Sequence, residues 1–324
     1  MEYINIKNTN LKISRIVGGG CPLGGYGWGE TQDQELKKAV QIAVKNGVNC
    51  FDTADTYGLG KSEILLGEAL SKFDRKDIVI ATKFGVRVEN GKTFYDNSPD
   101  WIEEAVQNSL KRLNTDYIDL YQVHYRDEKT PLIEVIKKLQ ELQQRGYIKY
   151  FGLSNIHEKD LEELEAFMKE NNCSNPFVSF QEEYSLAHRN TEDYLIKTSE
   201  DYKMTLMTWG SLGQGILTGK YDLNTHFEKD DRRSREVYVN FHGEKLRKNL
   251  EIVEVLKEIA KELNTNPTAV AIRFILDYMQ DSIALVGFKN TNQILGSIEA
   301  IKIKLNKEQI EKLIKVSGDG NEKK

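Results

Sequence analysis

Two periods of apolar and polar residues alternate along this chain. Short runs rich in Val, Ile, Phe and Tyr fall at residues 16–19, 49–52, 78–83, 118–122, 150–154, 177–181, 205–209 and 282–286. Apolar runs of this length, bounded by polar turns, predict strands. Between them apolar residues recur at helical spacing. Leu36, Val40 and Val44 mark a helix over 33–46 that Gly47 stops. The same spacing predicts helices over 62–70, 100–113, 131–144, 159–171 and 191–202. Ahead of the first run, residues 3–15 alternate about a polar Asn8-Thr9-Asn10 turn and predict a β-hairpin.

Strand then helix, repeated along the chain, calls for an α/β fold with a parallel sheet covered by helices. The sheet is either open or closed. An open dinucleotide-binding sheet carries G-x-G-x-x-G after its first strand. Here Gly18-Gly19-Gly20-Cys21-Pro22-Leu23 puts Leu23 in the third glycine's place. Eight β runs favour the closed (β/α)8 TIM barrel. The interval between Trp209 and Ser282 is too long for one unit. It predicts a long loop over 210–244, a helix over 245–263 and another from near Pro267. No internal repeat or Pro-rich linker divides the chain, so a single barrel domain over residues 1–324 is expected.

Barrel chemistry sits where the C-terminal ends of the strands meet. The second run ends Phe51-Asp52-Thr53-Ala54-Asp55-Thr56-Tyr57-Gly58, the third at Lys83 and the fourth at Gln122-Val123-His124. The fifth ends Gly152-Leu153-Ser154-Asn155, the sixth Phe180-Gln181, the seventh Trp209-Gly210 and the eighth Val286-Gly287. Alone, each polar residue has an ordinary reading: Asp52 caps a turn, His124 is a satisfied core histidine, Trp209 is packing. Together they read differently. A lysine and an aspartate converging at one mouth form a costly ion pair, and titratable groups clustered in a cleft mark a site.

The set reads as carbonyl-reduction chemistry. A free phenol has a pKa of about 10, and a nearby ammonium lowers it. Lys83 supplies that charge, Asp52 holds Lys83, and Tyr57 becomes a general acid for a developing alkoxide. His124 donates a hydrogen bond to the carbonyl oxygen. Trp209 offers a ring to stack on a nicotinamide, and Ser154, Asn155 and Gln181 offer partners for its carboxamide. Gly210-Ser211-Leu212-Gly213-Gln214-Gly215, with Lys220 beyond it, reads as a glycine-rich loop for a pyrophosphate.

These segments, with Gly215-Ile216-Leu217-Thr218-Gly219-Lys220, resemble the aldo-keto reductase superfamily over nearly the whole chain. The branch it is similar to holds the bacterial general-stress reductases and the potassium-channel β subunits. The resemblance implies a barrel whose bottom the hairpin closes, and a catalytic tetrad of Asp52, Tyr57, Lys83 and His124. It implies NADPH or NADH extended across the mouth under the long loop, with Gly19, Gly20 and Cys21 beside it. Cys21 stands where family members often carry an aromatic residue. Gly287 and Lys289 follow the last strand, and Lys289 stands where a basic residue often meets the ribose 2′-phosphate, which favours NADPH. Gly296-Ser297 replaces the family's usual Glu-Asn at the adenine, where Gln293 matches and Ser297 is the substitute. Trp28, Phe84 and Tyr125, with Tyr57 and His124, are the expected walls for a small carbonyl compound or a sugar face. Arg87, Arg126, Arg232, Arg233 and Arg235 are loop candidates for an anionic group. A cofactor-binding regulatory subunit of the channel type is the alternative reading. A lyase with Lys83 as a Schiff-base amine is a third.

Charge and composition narrow the partners. Lys+Arg 45 against Asp+Glu 50 leaves a net charge of −5, and no basic block exceeds Arg232-Arg233. That balance argues against nucleic acid. No run approaches the ~20 apolar residues of a membrane span. The opening MEYINIKNTN lacks a signal pattern. Cys21, Cys50 and Cys173 are too few and scattered for a disulfide framework or a zinc site. A cytoplasmic protein without a metal is expected; oligomeric state is not legible in the sequence.

Overall fold

The computed structural model describes residues 1–318. Strands β1 (Tyr3–Asn5) and β2 (Lys12–Ser14) pair antiparallel as the expected hairpin. The next three strands are β3 (Ile16–Gly19), β4 (Cys50–Asp52) and β5 (Val79–Phe84). A second hairpin, β6 (Val86–Glu89) and β7 (Lys92–Tyr95), follows directly. Then come β8 (Ile118–Val123), β9 (Ile148–Ser154), β10 (Ser179–Glu183), β11 (Thr205–Trp209) and β12 (Ile283–Gly287). Excluding the two hairpins, the eight remaining strands pair in parallel and close into a barrel, β12 returning to β3. The expectation of one domain reaches residues 319–324, which lie outside the described residues.

Side chains along a strand point alternately to its two faces, and this alternation builds both cores. Val17, Cys50, Val79, Ala81, Leu120, Met207, Ile283 and Leu285 fill the barrel interior. Ile6, Leu11 and Ile13 of the N-terminal hairpin join that cluster. The Lys7 amide donates to Thr205 Oγ1 at 2.8 Å, and the Ser14 amide to Asn49 Oδ1 at 2.7 Å. Both acceptors lie at strand N-terminal ends, so the hairpin plugs the bottom and leaves the opposite mouth for chemistry. Burying each such aliphatic side chain contributes roughly 1.5–3 kcal/mol. Outward residues such as Phe51, Ile80, Phe151 and Phe180 pack under the helices in the larger core.

Helices α1 (Asp33–Lys45), α2 (Lys61–Leu70), α3 (Pro99–Leu113), α4 (Leu132–Gln144), α5 (Glu158–Asn171) and α6 (Glu192–Asp201) follow the expected periodicity. Helices α7 (Gly243–Glu262), α8 (Pro267–Tyr278), α9 (Thr291–Ile298) and α10 (Lys307–Ser317) complete the outer layer. Local signals set their ends. Ser98 accepts from the Trp101 amide with Pro99 at the first helical position of α3, and Asn266 with Pro267 does the same for α8.

The segment expected as a plain loop over 210–244 carries a small core of its own. Short 3-10 turns form at Gly213–Thr218, Arg232–Ser234 and Val239–Phe241. Tyr221, Phe227 and Phe241 pack edge to face or tilted around the Arg233 guanidinium, which pairs with Asp231 at 2.5 Å. Among the described residues no helix is long and apolar enough to cross a membrane. No cluster of metal-ligating side chains occurs among them either.

Candidate active site

The inward alternation of each strand ends on a polar residue at the mouth. On β4 Cys50 is followed two positions later by Asp52; on β5 Ala81 is followed by Lys83; on β8 Leu120 is followed by Gln122 and then His124. The barrel thus brings residues far apart in sequence to one point. Lys83, wholly buried, sends Nζ to Asp52 Oδ1 at 2.5 Å, to the Thr53 carbonyl at 2.9 Å and to Tyr57 Oη at 3.4 Å. An ammonium has three donors, and these are its three acceptors. Asp52 Oδ2 accepts from Gln122 Nε2 at 3.1 Å and Gln181 Nε2 at 2.9 Å. The carboxylate is therefore held by donors from three other strands.

Tyr57 lies on the turn after β4, which the first βα loop braces. A Cβ on Gly24 would come 2.7 Å from the Tyr57 carbonyl carbon, so only glycine permits this approach. The His124 ring meets the Tyr57 ring edge to face at 5.7 Å. Its backbone amide donates to the Phe84 carbonyl, and its Nδ1 is buried without a partner. Burial and the Lys83 ammonium push the imidazole well below its usual pKa, so it is neutral at pH 7.

The phenol departs from expectation. Burial, followed by Cys21, Asp52, Tyr125 and Asp55, raises Tyr57 well above the ordinary phenol value. Desolvation of the phenolate outweighs the ammonium 3.4 Å away. Lys83 is in place beside Tyr57, but the net shift of the phenol is upward.

Most of the expected cofactor residues lie at or just beyond the C-terminal ends of the barrel strands. Ser154 Oγ donates to the Gln181 carbonyl, and Asn155 Nδ2 to the His124 carbonyl and Ser154 Oγ. Gly20 closes against β4 by donating to the Asp52 carbonyl at 2.7 Å, and Gly19 pairs with Gly287 across β3 and β12. Trp209 ends β11 with its Nε1 buried and unpartnered. The turn after it passes through left-handed backbone at Gly210, Gly213, Gln214 and Gly215. Leu212 is half-buried and Lys220 exposed. Cys21 is half-buried, takes the Trp28 indole N–H on its sulfur at 3.3 Å, and has its thiol pKa raised by burial. Lys289, half-buried, donates to the Trp28 carbonyl at 2.7 Å. Arg233, Asp231 and Lys220 are its charged neighbours.

Two expected contacts are corrected. Phe84 has the outward parity of Ile80 and Thr82; its ring is wholly buried and stacks on Tyr121 at 4.8 Å, away from the mouth. Ser297 is buried within α9, its hydroxyl donating to the Gln293 carbonyl, so it presents no hydroxyl for an adenine. Three further residues sit otherwise than the loop reading implied. Ser211 spends its hydroxyl on the Thr208 and Leu285 carbonyls. Gln293 Oε1 accepts from the Lys289 amide. Arg126 is buried against Asp160 and Glu163 rather than facing a ligand.

The β6–β7 hairpin stands outside the strand-helix alternation that the sequence predicts, although Asn90-Gly91 between two short runs is the strongest short hairpin cue. Both residues have positive φ, 50° and 74°. It carries Tyr95 to Tyr125, and the two rings stack at 5.0 Å. Asp55, within the Asp52–Gly58 segment, is a further titratable group beside the site. Its Oδ1 is buried and unpartnered, and burial beside Glu63 raises its pKa to about 8.

Comparison with known proteins bears on this arrangement. The model for the aldo/keto reductase family matches residues 15–317. The chain is 34% identical over 310 residues to aldo-keto reductase YhdN of Bacillus subtilis, covering 95% of this chain and 91% of that one. It is 30% identical to the aldo-keto reductase yakc [NADP(+)] of Schizosaccharomyces pombe, covering 90% and 84%. The solved glycerol dehydrogenase AKR11B4 of Gluconobacter oxydans superposes with a TM-score of 0.86 at 30% identity, covering 97% and 94%. A family match across almost the whole barrel, with relatives about a third identical over nearly their full length, means that this chain belongs to the aldo/keto reductase family.

Proposed function

We propose that this chain reduces the carbonyl of an aldehyde, ketone or sugar to an alcohol with NADPH, acting as one barrel domain with Tyr57 as proton donor. The observation that carries the reading is the contact of the buried Lys83 with both Asp52 and the half-buried Tyr57, beside a neutral His124. The residues at the mouth fit the cofactor. Trp209 has an unpartnered indole N–H, and the Gly210–Gly215 turn is a bend with left-handed glycines at 210, 213 and 215, where no Cβ crowds an approaching pyrophosphate. Lys220 and Lys289 supply positive charge beside it. When bound, the nicotinamide supplies the hydride.

The chain's own groups do the rest. A neutral imidazole keeps one N–H, which His124 donates to the carbonyl oxygen and so sets its direction. A phenol raised above its ordinary pKa remains protonated at neutral pH, which is the form a proton donor needs. As the carbonyl carbon gains hydride, its oxygen takes the Tyr57 proton and the product is an alcohol. The phenolate left behind faces the Lys83 ammonium, whose charge Asp52, Gln122 and Gln181 hold in place. Lys83 is a poor Schiff-base amine here, because all three donors are engaged and its side chain is out of solvent.

Loss of absorbance at the nicotinamide band tests this, with NADPH and a panel of aldehydes, ketones and aldoses. Turnover of at least one class is expected, and Tyr57→Phe is expected to remove it. A panel without any turnover, or a Tyr57→Phe variant as fast as the parent, overturns the reading.

A further inference from the structure

We infer that the β6–β7 hairpin builds a substrate subsite, in which Tyr95 selects carbonyl compounds carrying an extended aromatic group. The inference rests on the reductase reading for the position of the reacting carbonyl, and on the hairpin's own geometry for the rest. Three rings stack outward from the site. Tyr125 lies on His124 at 5.0 Å and 27°, and Tyr95 lies on Tyr125 at 5.0 Å and 11°. His124 is buried, whereas Tyr95 is 45% exposed. The stack therefore runs from the reacting end to the open rim.

The hairpin is fixed at its base. The Asp96 amide donates to the Gly85 carbonyl. Asn97, wholly buried, donates from its backbone amide to Asp127 Oδ2 at 2.8 Å and accepts the Asp127 amide on Oδ1 at 2.8 Å. Its Nδ2 donates to the Tyr125 carbonyl at 3.1 Å. Asp127 also takes the amides of Lys129 and Thr130. The loops after β5 and β8 are thus buttoned together, and Tyr95 is held over Tyr125 rather than swinging free. A rigid exposed ring offers contact area at little conformational cost.

The placement gives a length rule. A substrate with its carbonyl at His124 touches Tyr95 only if it spans two successive ring spacings of 5.0 Å. Propanal is shorter than one of them. A biphenyl carbaldehyde reaches the outer ring, where an aromatic contact beyond simple burial is worth roughly 0.5–1.5 kcal/mol, or about two- to tenfold in affinity.

The test compares Tyr95→Ala and Tyr95→Phe with the parent protein in two measurements. The first is calorimetric binding of biphenylcarboxamide, an inert mimic of the long aldehyde, with propionamide as the short control, each in the presence of NADP. The second is steady-state reduction of biphenyl carbaldehyde and of propanal. Tyr95→Ala is expected to weaken biphenylcarboxamide binding by about five- to tenfold and raise KM for the long aldehyde to match. Propanal kcat/KM is expected to stay within twofold. Tyr95→Phe is expected to behave as the parent, because the contact needs the ring and not the hydroxyl. The inference is overturned if the parent does not bind biphenylcarboxamide. It is equally overturned if Tyr95→Ala leaves that binding unchanged, or slows both aldehydes alike. Binding that responds to Tyr95 with no turnover of either aldehyde supports the subsite and counts against the reductase reading, so the two fail separately.

Discussion

Lys83 Nζ sits 2.5 Å from Asp52 Oδ1 with neither side chain reaching solvent. A pair this dry is held only because every remaining donor and acceptor is met: Thr53 and Tyr57 on the lysine, Gln122 and Gln181 on the carboxylate. Removing one partner of a buried pair leaves an uncompensated charge, which costs about 3–5 kcal/mol. Lys83→Met is therefore expected to lower unfolding free energy by about that amount, read from urea denaturation. Adding Asp52→Asn to it is expected to restore part of the loss, since no charge then remains buried. A double variant as unstable as the sum of the two singles would show that the pair is not coupled.

The mechanism separates two candidate acids. General acid catalysis contributes typically 10²–10⁴-fold. Tyr57→Phe deletes only the hydroxyl and is expected to cost a factor in or above that range while leaving NADPH affinity intact. His124→Gln keeps a donor at the mouth and is expected to cost less in kcat. The reverse order, with Tyr57→Phe nearly as fast as the parent, makes His124 the acid. Steady-state rates at pH 7, with cofactor affinity measured by tryptophan quenching, decide between them.

The barrel and three of the four residues at its mouth are legible in the sequence because they rest on local period, whereas Tyr57 lies on the turn beyond β4 and is marked by its segment rather than by register. Apolar runs give the strands, and a polar residue in register with the inward face points into the mouth, as Asp52 does two positions after Cys50. What is not legible follows from the same rule applied less strictly. Phe84 directly follows Lys83, and a shift of one residue turns a side chain to the other face. Its ring therefore belongs to the helix layer. A depressed phenol pKa follows from charge alone, whereas burial, which depends on how the loops pack around Tyr57, shifts it upward. The β6–β7 hairpin interrupts the strand-helix rhythm, and Asn90-Gly91 is its mark in the sequence.

Asp55 makes stability depend on pH. Its carboxyl is buried behind the Tyr57 turn, where Glu63 opposes ionisation and Arg112, Lys83 and the Thr56 amide favour it. Burial wins, and the folded pKa of about 8 lies far above the ordinary value of 3.8. The folded state thus binds a proton that the unfolded chain releases above about pH 4. By linkage, stability is fully present below that pH and falls as pH rises toward 8. Asp55→Asn carries no charge to bury, so its melting temperature relative to the parent is expected to rise steadily from pH 5 to pH 8. A difference that stays constant over that range shows that Asp55 is ionised in the folded protein.

Lys289 ties two loops at the mouth, and the proposed reading also gives it a part in cofactor choice. Its Nζ donates to the Trp28 carbonyl at 2.7 Å, which ties the loop after β3 to the loop after β12. Burial and Arg233 hold its ammonium pKa below the usual lysine value. An added anion at this point relieves that repulsion, so a ribose 2′-phosphate is favoured there. A hydrogen bond to a charged group is worth about 1.5–3 kcal/mol, or roughly ten- to a hundredfold in affinity. Lys289→Met keeps the stem and removes the charge. NADPH is expected to lose that factor, while NADH, which lacks the phosphate, loses only the smaller share that the Trp28 tie contributes. Both dissociation constants are measured by tryptophan quenching, at low and high salt. Screening weakens exposed charge interactions, so the NADPH preference of the parent is expected to shrink with salt and that of Lys289→Met to stay flat. Equal losses for the two cofactors would place the 2′-phosphate elsewhere and leave Lys289 as a loop tie alone.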